Sequence, residues 1–130
     1  MINSYLQRGL ILAPTRELAN QIAVELGTLM HGSQLNTFVV VGGKNINTQV
    51  NKLKARRTDL LVATPGRLID LMDRGALSLE ETTFLVLDEA DLMLGEIHFV
   101  NWLYIVAIDI CFFSPHLSPS PSKIWAFNEI

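Results

Sequence analysis

Three carboxylates fall within four residues at Asp88, Glu89 and Asp91, directly after the apolar run Phe84-Leu85-Val86-Leu87. Mg²⁺ usually keeps several waters and needs only one or two protein carboxylates beside substrate phosphates, so Asp88 suits a Mg²⁺ held through its hydration water. Glu89 is then free to orient an attacking water. The same residues also read as an ordinary strand end and helix start, where carboxylates suit the positive end of the helix dipole. On these residues alone both readings stand. Two arginines raise a second chemistry. Arg16 follows Pro14-Thr15 and Arg67 follows Thr64-Pro65-Gly66, each directly after an apolar run. A guanidinium beside a helix N-terminus can meet a phosphate, although a single surface arginine is more commonly just solvated.

Those positions make sense only if particular elements carry them. Leu10–Ala13 reads as a short strand, and Pro14-Thr15-Arg16-Glu17 turns it into a helix with Thr15 as its cap. Leu18, Ile22, Leu26 and Leu29 form one apolar stripe predicted to face a sheet, and His31-Gly32 offers a stop. Phe38–Val41 reads as a β-branched strand broken by Gly42-Gly43, with Ile46, Val50 and Leu53 marking the next helix. Leu60–Ala63 reads as a third strand. Thr64 and Pro65 supply helix-start chemistry, and Leu68, Ile69 and Met72 face inward. Phe84–Leu87 reads as a fourth strand, buried on both faces. Strands alternating with helices at this spacing predict an α/β fold with a mostly parallel sheet and right-handed crossovers. Arg16, Gly42, Gly43, Thr64, Gly66, Arg67 and the carboxylates then all lie on the carboxyl edge, where open α/β sheets bind ligands.

Composition limits the rest. With 130 residues, 49% of them hydrophobic and 18% charged, the chain is enough for about one globular domain. A net charge of −3 argues against coating nucleic acid by bulk charge, so any polyanion site is local. Lys44, Lys52, Lys54, Arg56 and Arg57 form an acid-free stripe that reads as a solvated helix face or a polyanion surface. Gly42-Gly43-Lys44 is not a phosphate-gripping P-loop, because that pattern needs Gly where Phe38 stands and Ser or Thr where Asn45 stands. A lone cysteine, Cys111, and a start without an apolar run point to an intracellular, reducing compartment. His31, His98 and His116 have no metal-ligand spacing with each other or with Cys111.

Pro14-Thr15-Arg16-Glu17-Leu18-Ala19, Gly42-Gly43, Thr64-Pro65-Gly66-Arg67 and Asp88-Glu89-Ala90-Asp91 together resemble four motifs of the DEAD-box RNA helicases, in family order. The resemblance runs from about Leu10 to Leu94 and implies a partial RecA-like first helicase domain. It implies that Pro14, Thr15, Arg16, Gly42, Gly43, Thr64, Gly66 and Arg67 face the sugar-phosphate backbone of RNA, independently of sequence and without DNA specificity. It further implies that the cofactors are ATP and Mg²⁺, that Asp88 serves Mg²⁺, that Glu89 polarises the water, and that Asp91 couples to a further motif.

The family's P-loop and adenine-reading glutamine motif precede the position matched by Leu10, and no Ser-Ala-Thr motif follows the carboxylates. The chain alone is therefore expected to be catalytically inactive. Residues 1–94 are assigned to the helicase domain and 95–130 to a divergent tail, apolar over Ile97–Phe113 and then rich in Ser and Pro. The apolar part is short for a membrane span and contains Asp109, so a span is not expected. The tail, unlike the family, is read as coming from a truncated, alternatively spliced or artefactual transcript. Because the resemblance implies that the missing P-loop and Ser-Ala-Thr strands belong to the same sheet, the strand ending at Leu87 is expected to be short of lateral pairing and the chain poorly soluble or molten. The alternatives are a non-catalytic module that binds RNA or partners and, more remotely, a membrane-tethered fragment.

Overall fold

The four apolar runs become strands β1 (Gly9–Leu12), β2 (Thr37–Val40), β3 (Leu60–Ala63) and β4 (Phe84–Asp88). Helices α1 (Arg16–Leu29), α2 (Ile46–Ala55) and α3 (Pro65–Asp73) connect them in turn, and a short α4 (Ala90–Leu94) follows β4. A last strand, β5, spans Ile124–Phe127. The computed structural model describes residues 8–94 and 124–127. Ile97–Phe113, the run too short for a membrane span, and the Ser/Pro-rich run after it lie outside them.

The strands pair in the order β2-β3-β1-β4-β5, and every pairing among them is parallel. This order assigns the helices to faces. From β1 the chain moves outward to β2, whereas the steps β2 to β3 and β3 to β4 run the opposite way. Right-handed crossovers in opposite directions must lie on opposite faces. The core agrees. Leu10, Leu12, Leu61, Ala63, Leu85 and Leu87 join Leu53 of α2 and Leu68 and Leu71 of α3. Ile11, Val62 and Val86 point the other way, with Ala19, Leu18, Ile22 and Leu26 of α1. Strand side chains alternate between faces, so an all-apolar strand is what a sheet covered on both sides requires.

Two expectations are corrected. Leu29 does not complete the buried stripe of α1, because its side chain is 80% exposed. The helix is about 21 Å long at 1.5 Å per residue, whereas four-residue strands reach about 13 Å, so its last turn overhangs the sheet. Nor does β4 lack a neighbour on its outer side. β5, from the tail, pairs with it in parallel from Leu85↔Ile124 to Asp88↔Phe127. The backbone groups that we expected to be orphaned are the ones this ladder occupies.

At the amino end of the sheet, Asp59 is 3% exposed. Its Oδ2 accepts from the Asn36 N–H at 2.9 Å and its Oδ1 from Arg57 Nε at 3.1 Å. Its backbone N–H donates to Asn36 O, and its carbonyl accepts from the N–H groups of Arg8 and Gly9. One buried residue thus ties together the entries to β1, β2 and β3. It also divides the basic stripe, since Arg57 is engaged at the amino end while Lys44 stands at the other.

Candidate nucleic-acid and nucleotide site

Because the strands are parallel, the segments leaving β1 to β4 share one edge, and all the motif residues lie there. Thr15 caps α1 as expected, its Oγ1 accepting from the Leu18 N–H at 3.2 Å. That cap fixes the first turn from which Arg16 projects. Gly43, in the turn after β2, has φ +78°, a left-handed conformation that favours glycine. A Cβ built on it would overlap the Arg16 guanidinium, so Arg16 lies against the bare face of this residue. The motifs leaving β1 and β2 are therefore in contact.

The motif leaving β3 joins the same cluster. Arg67 Nη1 donates to the Lys44 carbonyl at 3.0 Å and to Gln49 Oε1 at 3.3 Å. Gln49 is 4% exposed, and its Nε2 donates to the Val41 carbonyl at 3.0 Å. The Thr64 N–H donates to Val40 O, tying the ends of β2 and β3. Thr64 is the N-cap residue of α3 but makes no side-chain cap bond, so the expected cap is provided by position and by Pro65 alone. Pro14 is half-buried, and Gly66 is exposed with open space where a Cβ would stand. The N–H groups of Gly42, Gly43 and Lys44 donate to no described residue, nor do Arg16 or Nε and Nη2 of Arg67. The result is a cluster of outward donors with no acid in it, beside a recess of about 180 Å³ that Lys44 and Lys52 help to line.

The carboxylates stand apart, two strands away from β3. Asp88 is the last residue of β4 and Asp91 lies in the first turn of α4. Glu89, between them, has φ +49°, the one non-glycine residue in that region among those described. This bend turns the chain from strand into helix within one residue. The Asp88 and Glu89 side chains are half-buried and bonded to no described residue.

Sequence reasoning missed Gln49. The signal was there: Ile46, Gln49, Val50 and Leu53 occupy one face of α2, so a polar side chain sits inside a buried stripe and needs partners.

A parallel sheet with basic donors and carboxylates along its carboxyl edge defines the class as an open-sheet α/β domain of the ligand-binding kind. The DEAD/DEAH box helicase family model matches residues 2–118, and the chain belongs to that family. Over 87 residues, 67% of the chain, it is 52% identical to the probable ATP-dependent RNA helicase ddx3 of Dictyostelium discoideum. It is 49% identical over the same length to the ATP-dependent RNA helicase RhlB of Pseudomonas syringae. The chain spans 12% and 22% of those two proteins. A DEAD box protein from Methanococcus jannaschii matches in structure with TM-score 0.76 and 31% identity, over 98% of this chain and 31% of that one. The yeast DEAD-box splicing factor Prp28 matches with TM-score 0.75 and 28% identity, over 95% of this chain and 28% of that one. These structural matches make the fold RecA-like. Membership favours part of a helicase over a free-standing binding module.

Proposed function

We propose that this chain supplies the RNA-holding face and the acidic nucleotide motif of an ATP-driven enzyme that separates short RNA duplexes. The observation that carries this reading is the convergence of Arg16, Arg67 and the Gly42-Gly43 turn into one cluster of outward donors. Guanidinium and backbone N–H donors suit phosphate oxygens and carry no base code, so recognition is of the backbone and independent of sequence. Pro14, Thr15, Thr64 and Gly66 complete the face, and the absence of a Cβ at Gly66 lets a strand approach closely.

No group of three or more His, Cys, Asp or Glu among the described residues is arranged to hold a metal ion. Mg²⁺ bound with nucleotide asks for less, one or two carboxylates with phosphates and waters, and Asp88 at the strand end fits that demand. Bound there, the ion would neutralise charge on the phosphates. Glu89 would accept a proton from, and orient, the attacking water, and Asp91 would link the motif to a neighbouring one.

Binding of two unrelated single-stranded RNAs to the chain and to an Arg16→Ala/Arg67→Ala double variant tests the reading. Affinity should fall alike on both RNAs, with the slope of log affinity against log salt shrinking by roughly 0.7 per lost contact. Unchanged affinity at low salt in folded double variant would overturn it.

A further inference from the structure

Gln49 sits behind the proposed RNA face, not on it. Its amide is used at both ends, Nε2 donating to the Val41 carbonyl at 3.0 Å and Oε1 accepting from Arg67 Nη1 at 3.3 Å. Only this orientation of the amide satisfies both partners, because the reverse would set oxygen against carbonyl and NH₂ against guanidinium. The residue is 4% exposed and α2 holds its backbone, so the bridge is buried and anchored.

Two consequences follow for the groups in front of it. A trans peptide directs its N–H opposite to its C=O, so fixing the Val41 carbonyl inward aims the Gly42 N–H outward. Arg67, held by Gln49 and Lys44 through Nη1, makes no hydrogen bond through Nε or Nη2 to any described residue. One buried side chain therefore holds both the peptide that carries the Gly42 N–H and the guanidinium of Arg67.

We infer that Gln49 is a positioning residue for phosphate recognition, locking the Gly42 N–H and Arg67 into one preorganised set. This rests on the RNA reading above. Preorganisation raises affinity by removing the ordering that binding would otherwise require.

The test compares Gln49→Met, Arg67→Ala and the double variant of the full chain, titrated with single-stranded oligouridylate over a range of salt. Gln49→Asn, one methylene shorter and too short to span both partners, serves as a second variant that stays polar. Affinity in Gln49→Met and Gln49→Asn should fall several-fold, approaching Arg67→Ala, with the salt slope shrinking by up to about 0.7. The double variant should lose no more than about twofold beyond Arg67→Ala, since coupled residues are not additive. A merely structural role would reduce the folded fraction and leave the slope intact. Loss in Arg67→Ala without loss in the Gln49 variants, full additivity, an unchanged slope, or failure of both Gln49 variants to fold would each overturn the inference alone. Binding that ignores Arg67→Ala and Arg16→Ala would overturn the RNA reading and the inference with it.

Discussion

The two ends of the sheet use buried polar groups in opposite ways. At the amino end, Asp59 spends both carboxylate oxygens and its backbone on Asn36, Arg57, Arg8 and Gly9, closing the polar network on itself. At the carboxyl end, Gln49 satisfies itself with Val41 and Arg67 but leaves donors on Arg67 and the Gly42-Gly43 turn directed away. The same end carries a non-glycine residue at φ +49°, Glu89, and a helical glycine, Gly66, that no neighbour requires. Both features lower stability where they stand. The amino end is thus organised for stability, and the carboxyl end for something the fold itself does not need.

The sharpest way to break this contrast is at Asp59. Asp59→Ala removes the acceptor for the Asn36 N–H and for Arg57, and hydrogen bonds to charged groups contribute about 1.5–3 kcal/mol each. Because Arg57 is half-exposed, we expect a total loss of about 3 kcal/mol in urea unfolding, with RNA affinity per folded molecule unchanged. An Asp59 variant that kept its stability, or lost RNA binding while folded, would erase the distinction between the ends.

Glu89 gives a smaller effect of the opposite kind. A left-handed backbone disfavours any Cβ by about 1–2 kcal/mol, so Glu89→Gly should be more stable than Glu89→Ala by roughly 1 kcal/mol. Equal unfolding midpoints for the two variants would mean that the bend after β4 carries no strain.

Gly66→Ala should have the smallest effect on stability, and with a reversed sign. Alanine is favoured over glycine in a helix by up to about 1 kcal/mol, and open space surrounds the position. Stability should hold or rise while RNA affinity falls. A variant that gained stability and bound RNA as before would show that the glycine serves no ligand.

Much of this was legible in advance because it is local. The runs around Leu10–Ala13, Leu60–Ala63 and Phe84–Leu87 could hardly be anything but strands covered on both faces, and parallel pairing then put the motif residues on one edge. Leu29 escapes sequence reasoning because periodicity says which face a residue shares but not where the sheet beneath it ends. The outer pairing of β4 is not visible in motifs, because a parallel ladder is made by backbone groups that any sequence possesses. The roles of Gln49 and Asp59 do not show in the sequence because their partners lie on other elements.

By itself, then, the sequence determined the element types, the two-faced sheet and the set of residues at its carboxyl edge, since these follow from periodicity, caps and strand direction. Tertiary structure alone decided which of those residues touch. It set Arg16 on Gly43, joined Arg67 to Lys44 and Gln49, tied Asp59 to Asn36 and laid β5 beside β4. Hydrogen bonds and close contacts between distant segments depend on angstrom-scale placement, and that placement is fixed only when both sheet faces are packed.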